Sequence, residues 1–107
     1  MTARIATGLV TKIIAALDHE ARLGILLTLS SDDKHVSFSE LGKETGLGTA
    51  HLALHLRPLV QTALVTNTYR KTAGRDYSFY ELSSLGREWL WRIGLRQKGP
   101  GKALASA

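Results

Sequence analysis

Residues 37–65, SFSELGKETGLGTAHLALHLRPLVQTALV, decide the fold. Ser37 and Glu40 stand three apart, the spacing at which a hydroxyl and a carboxylate satisfy the free N–H groups of a helix start. Phe38 and Leu41 then fall on one buried face. Gly46 ends this short helix, because glycine enters the left-handed conformation at little cost. Gly48 or Thr49 caps the next helix, in which Leu52, Leu56, Leu59 and Ala63 recur at intervals of four, three and four, a stripe aimed at a core. A short helix, a glycine turn and a longer helix in this order read as a helix-turn-helix.

At about 100° per residue, the positions opposite that stripe are Ala50, Leu54, Arg57 and Gln61, flanked by His51 and Pro58, with His55 nearer the core boundary. Such a face suits a DNA major groove, where arginine pairs bidentately with guanine and Ala or Leu touches a thymine methyl. A solvated helix face with one stray leucine is the plain alternative. Pro58 removes one helical hydrogen bond and disfavours helix at Arg57. The last turn is therefore expected to kink or to end early.

Downstream, Leu64–Lys71 and Tyr77–Leu82 are rich in β-branched and aromatic residues and flank Thr72–Asp76, which contains a glycine, so they read as paired strands. Arg70, Lys71 and Arg75 gather at the bend. On the second strand Tyr80 and Leu82 share one face, Phe79 and Glu81 the other. A basic tip beside a groove-reading helix reaches phosphates or the minor groove, although loop tips are also charged simply because they are wet.

Taken together, HEARLGILLTL, VSFSELGKETGL, HLRPLV and YELSSLGREWL resemble the winged helix-turn-helix transcription regulators of the ArsR type. The nearest pattern is that of the small archaeal and bacterial members, R-L-x-I-L, F-x-x-L, G-L, H-L-x-x-L and Y-x-L-T-x-x-G-R. The resemblance runs from about Leu17 to Ile93. It implies a mainly α fold with a small β-hairpin, flanked by N- and C-terminal dimerisation helices, and double-stranded DNA as partner. It also implies a recognition helix, about residues 49–61, that presents Thr49, Ala50, His51, Leu54 and Arg57, and a wing, about 70–76, that presents Arg70, Lys71 and Arg75. Three positions depart from the pattern: Pro58 lies inside the recognition helix, Ala63 stands where the family usually has Gly, and Gly48 replaces the usual Ser or Thr cap.

Two outer helices frame this unit. The first carries Ile5, Leu9, Ile13 and Leu17 every fourth residue, with Val10 and Ile14 beside them; the last carries Leu85, Trp89 and Ile93, with Leu90 alongside and Trp91 off the main row. Rows this wide exceed what a small winged domain covers alone. A two-fold homodimer through these helices would bury them and present two recognition helices to a palindromic site; packing within one chain is the alternative. His19 and Arg22 open the helix before the helix-turn-helix, whose Leu23, Ile25, Leu26 and Leu29 are core by pattern. They either touch phosphates or, more simply, pair with neighbours such as Glu20.

The chain has 107 residues, 44% of them hydrophobic, which fits one domain, expected over residues 1–96. In the tail, 97–107, Gly99, Pro100 and Gly101 break any helix and nothing large remains to pack. Fourteen Lys and Arg against nine Asp and Glu leave a charge of +5 and a pI near 9.9, which favours an anionic partner. There is no cysteine, hence no disulfide framework and no thiolate metal site, as in a reducing cytoplasm. No stretch approaches the roughly 20 apolar residues of a membrane span, and residues 1–10 lack a signal-peptide core, so a cytoplasmic protein is expected.

No metal site or cofactor is expected. His51 and His55 are an i, i+4 pair of the kind that holds zinc, but only two ligands are visible, and His19 and His35 lie far away in sequence. An enzyme is not expected either: Gly42, Gly46 and Gly48 lack a Walker lysine, and no serine, histidine and acid converge in a motif. The alternative to a DNA-binding regulator is a winged-helix module that contacts protein or RNA, since a fold does not fix its ligand.

Overall fold

The computed structural model describes residues 2–31 and 35–95, without the side chains of residues 2–6, 72, 75 and 76. The tail expected at 97–107 lies outside the described residues. In chain order the elements are α1 (Thr2–Leu17), α2 (Glu20–Ser31), β1 (Val36–Ser37), α3 (Phe38–Thr45), α4 (Thr49–Gln61), β2 (Val65–Thr72), β3 (Arg75–Leu82) and α5 (Ser84–Arg92).

The capping pair forms as its spacing requires. Ser37 Oγ accepts the Glu40 N–H at 3.1 Å, and Glu40 Oε1 accepts the Ser37 N–H at 3.5 Å. Gly46, at φ 75°, closes α3 by donating its N–H to the Gly42 carbonyl. Gly48 is the N-cap of α4 and offers no side chain to it; its carbonyl accepts the Leu52 N–H at 2.8 Å.

From α4, Leu52, Leu56 and Leu59 enter a core shared with Ile13 and Leu17 of α1, Ile25, Leu26 and Leu29 of α2, Leu41 of α3, Val36, Leu64, Val65, Tyr80, Leu82 and Leu90 of α5. Ala63, expected as the fourth member of the leucine stripe, lies beyond the helix end, exposed, at φ 63°. The backbone turns left-handed there, so the helical period no longer applies. The early end expected at Pro58 does not occur. The helix continues to Gln61, and the Pro58 carbonyl accepts both the Thr62 N–H at 3.1 Å and Thr62 Oγ1 at 2.8 Å. The N–H that proline lacks leaves the carbonyl of exposed Leu54 without its helical donor, where water can replace it.

The sheet has three antiparallel strands in the order β1-β3-β2, so β1 is a strand the sequence patterns did not announce. Only Val36↔Tyr80 and Ser37↔Phe79 pair along it. The hairpin pairs from Val65↔Leu82 to Thr72↔Arg75, leaving a two-residue turn, Ala73–Gly74, in place of the five-residue bend expected. Both turn residues have positive φ, 55° and 77°, as the hairpin-favouring type I′ turn demands.

The hairpin is anchored at its base. Ser83 Oγ donates to the carbonyls of Ala63 at 2.6 Å and Leu64 at 3.0 Å, and it accepts the Gly86 N–H at 2.9 Å as the cap of α5. Gly86 lies against Leu64 so closely that a methyl group there would strike the Leu64 carbonyl and the Leu82 side chain. The glycine of the Y-x-L-S-x-x-G-R stretch therefore permits the close approach of α5 to the start of the wing.

Candidate nucleic-acid interface

With the leucine stripe of α4 buried, the helix turns its other side outward. Thr49, Ala50, His51, Leu54, Arg57 and Gln61 are all exposed. Leu54 is 59% exposed, whereas Leu52, Leu56 and Leu59 are 0–3% exposed. Arg57 and Gln61 line a notch of about 250 Å³ together with Ala53 of the same helix and Asn67 of β2. The outward face of the helix thus runs on into the wing without a break.

On the wing, Arg70 and Lys71 are exposed; the side chain of Arg75 lies outside those described. Cross-strand partners place their side chains on the same face. Lys71 pairs with Asp76 and Tyr69 with Ser78, in register with Asn67↔Tyr80 and Val65↔Leu82; this face carries buried Val65, Tyr80 and Leu82 at its base. Arg70 pairs with Tyr77 and Thr68 with Phe79, on the opposite face, where His35 Nε2 lies 3.3 Å from Glu81 Oε1. The two basic residues at the tip therefore point to different sides.

His55 separates from its helix-mate His51. It is 8% exposed, and its Nδ1 accepts the Arg22 Nε–H at 3.3 Å while Arg22 Nη1 donates to the Ala15 carbonyl at 3.1 Å. The His19 ring lies 4.3 Å from that of His55, and His19 Nδ1 accepts the Ala21 N–H at the start of α2. Burial above all, and then the nearby His19, Arg22 and His51, hold the His55 imidazole below the ordinary histidine pKa of 6.5. His19 and Arg22 thus join the α1–α2 elbow to α4. Their approach to His55 joins residues more than thirty positions apart, which no local pattern reveals. Among the described residues no three His, Cys, Asp or Glu side chains come together as metal ligands.

The rows on the terminal helices divide. Ile13, Leu17 and Leu90 belong to the core of the single chain, and Trp89 packs against it half-buried. Leu9, Val10 and Ile14 of α1, with Leu85 and Trp91 of α5 and Ile93 just beyond it, remain exposed. The side chain of Ile5 lies outside those described. Packing within one chain accounts for part of each row and leaves the rest uncovered. No helix among the described residues is long and apolar enough to cross a membrane.

No family model and no curated protein matches the sequence. Solved structures do. HlyU from Vibrio cholerae is 30% identical over 85% of this chain and 97% of its own, with a TM-score of 0.64. A transcriptional regulator HlyU from Vibrio vulnificus is 26% identical over 84% and 88%, at 0.62. A homodimeric winged helix-turn-helix DNA-binding domain from Mycobacterium bovis, from a possible ArsR-family transcriptional regulator, shares the fold at 19% identity over 85% and 79%, at 0.66. The element order, the capped helix-turn-helix, the glycine-seated hairpin and these similarities agree: the chain belongs to the winged helix-turn-helix transcriptional regulators of the ArsR-like type.

Proposed function

We propose that the chain is a sequence-specific regulator that binds double-stranded DNA as a homodimer, with α4 in the major groove and the β2–β3 wing on the backbone or minor groove. The observation that carries this reading is the outward face of α4. An apolar Leu54 and an Arg57 stand exposed on a helix whose other side is core, and base edges in a major groove offer partners for both. The net charge of +5 supplies the attraction to phosphates. The DNA-binding neighbour from M. bovis is homodimeric, and the exposed Leu9, Val10, Ile14, Leu85 and Ile93 offer a second copy an apolar seat.

The test is a mobility shift with the DNA upstream of the protein's own gene and with a shuffled control, each at two salt concentrations. Preference for the natural sequence, weakening as salt rises, is expected. Arg57→Ala should cost about 1–3 kcal/mol on the preferred site and less on the control. Absence of a shift on any DNA would replace the regulator with a module for protein or RNA. In sedimentation the free protein is expected as a dimer, converted to monomer by Leu9→Glu with Ile14→Glu.

A further inference from the structure

We infer that the wing meets DNA with the face formed by Asn67, Tyr69 and Lys71, and that Arg70, on the opposite face, is not a principal contact. The inference rests on the reading of α4 as a DNA-binding helix and identifies which wing residues serve it. Two observations place this face. First, strand register puts Asn67, Tyr69 and Lys71 on the side whose base is the buried Val65, Tyr80 and Leu82, which share one core with Leu52, Leu56 and Leu59 of α4. Second, Asn67 lines the same notch as Arg57 and Gln61, so the face continues the outward side of the recognition helix.

Tyr69 is otherwise hard to account for. It is 73% exposed, more than any other large apolar side chain described, and so contributes little to the core. A phenol gives a surface two things that DNA backbone uses: a hydroxyl that donates to a phosphate oxygen and a ring that packs on a sugar. Asn67 adds an amide donor and Lys71 a cation. Alternation spaces the three about 6.6 Å apart along β2, in a row leading from Arg57 toward the hairpin tip. Arg70 instead projects beside Tyr77 and Phe79, on the side that carries Glu81. Contacts of this kind position the protein without reading bases, so their loss weakens preferred and shuffled DNA alike.

The test compares Tyr69→Ala, Tyr69→Phe, Lys71→Ala and Arg70→Ala in the full chain by fluorescence anisotropy on the preferred and shuffled DNA, with thermal melts to show that each variant is folded. Tyr69→Ala is expected to weaken both DNAs about tenfold, as the loss of a hydrogen bond to a charged group implies, with an unchanged salt slope because no charge is removed. Tyr69→Phe should fall between the wild type and Tyr69→Ala. Lys71→Ala should flatten the slope of log affinity against log salt by about 0.9 per subunit, and Arg70→Ala should leave it nearly unaltered. Wild-type affinity in Tyr69→Ala, or a greater loss in Arg70→Ala than in Tyr69→Ala, overturns the inference while leaving the regulator reading intact. Failure of the wild-type chain to bind any DNA overturns both.

Discussion

The two ends of the β2–β3 hairpin each hold an alanine in left-handed backbone, and they differ in almost everything else. At the base, Ala63 (φ 63°) follows α4, and its carbonyl accepts the Ser83 hydroxyl at 2.6 Å; Leu64 beside it is fully buried and pressed against Gly86. At the tip, Ala73 (φ 55°) sits exposed beside Gly74 with open space around that glycine. A non-glycine residue in this region costs about 1–2 kcal/mol. The base sustains the cost because packing and hydrogen bonds on both sides over-determine it; the tip does so because both positions of its two-residue turn need positive φ. The base fixes the hairpin against the end of α4, and the tip stands open to solvent.

The largest effect is expected where the base is tightest. Alanine is the better helix former by about 1 kcal/mol, so on propensity alone Gly86→Ala would strengthen α5. The added methyl, however, meets the Leu64 backbone carbonyl, which no side-chain rotation relieves. Overpacking of this kind costs about 1–3 kcal/mol, and the backbone obstacle puts the net loss near the upper end. Urea unfolding measures it. A stability equal to wild type would mean that the base yields, and that the wing is not rigidly seated.

The contrast between buried and exposed positions extends into α4, where His51 is open to solvent and His55 is not. In the unfolded chain His55 titrates near 6.5, and in the folded protein burial lowers that value. Between the two values unfolding takes up a proton, so acid favours the unfolded state. This contribution to stability is complete above about pH 6.5 and is lost as pH falls toward the folded value, with a slope of at most about 1.4 kcal/mol per pH unit. Urea midpoints at pH 7.5, 6.5 and 5.5 should fall, and should fall less in His55→Gln. Parallel pH profiles for the two proteins would show that His55 protonates in place.

The helix-turn-helix is legible in the sequence because its signals are local: a capping pair three apart, a glycine stop and leucines at helical spacing. β1 is not, since two residues, Val36 and Ser37, are too few to alternate, and only their partners Tyr80 and Phe79 make them a strand. The bend of the hairpin reads as too long because Thr72 and Asp76 have turn chemistry, yet both are paired. Basic residues at the tip are obvious in the sequence; which of them shares the face of the buried Tyr80 is not. That depends on the register that sets Tyr69 and Lys71 with Tyr80 and sets Arg70 with Tyr77. Arg22 and His55, thirty-three positions apart, meet only through packing of α2 on α4.

A smaller gain is expected from relieving the strain at the base. Ala63→Gly removes the steric cost of the left-handed conformation, about 1–2 kcal/mol, and returns about 0.5–1 kcal/mol to the unfolded chain as added freedom. The net is a stabilisation of about 0.5–1 kcal/mol, read as a higher urea midpoint with an unchanged denaturant slope. Destabilisation would indicate that the Ala63 methyl makes contacts worth more than the strain it carries.

The smallest effect belongs to the tip. Ala73→Asn completes the Asn-Gly pair that type I′ turns prefer, and asparagine tolerates the left-handed region better than alanine. The relief is bounded, because an exposed turn can escape its strain by fraying while the rest of the fold persists. Global stability should therefore rise by about 0.5 kcal/mol or less, below the gain at Ala63. Amide exchange would locate the change: protection should increase at residues near the turn, such as Lys71 and Thr72, and stay constant at Val65 and Leu82. Equal added protection along the whole hairpin would mean that tip and base open together, and the wing would then be one cooperative unit rather than a fixed base with a pliable end.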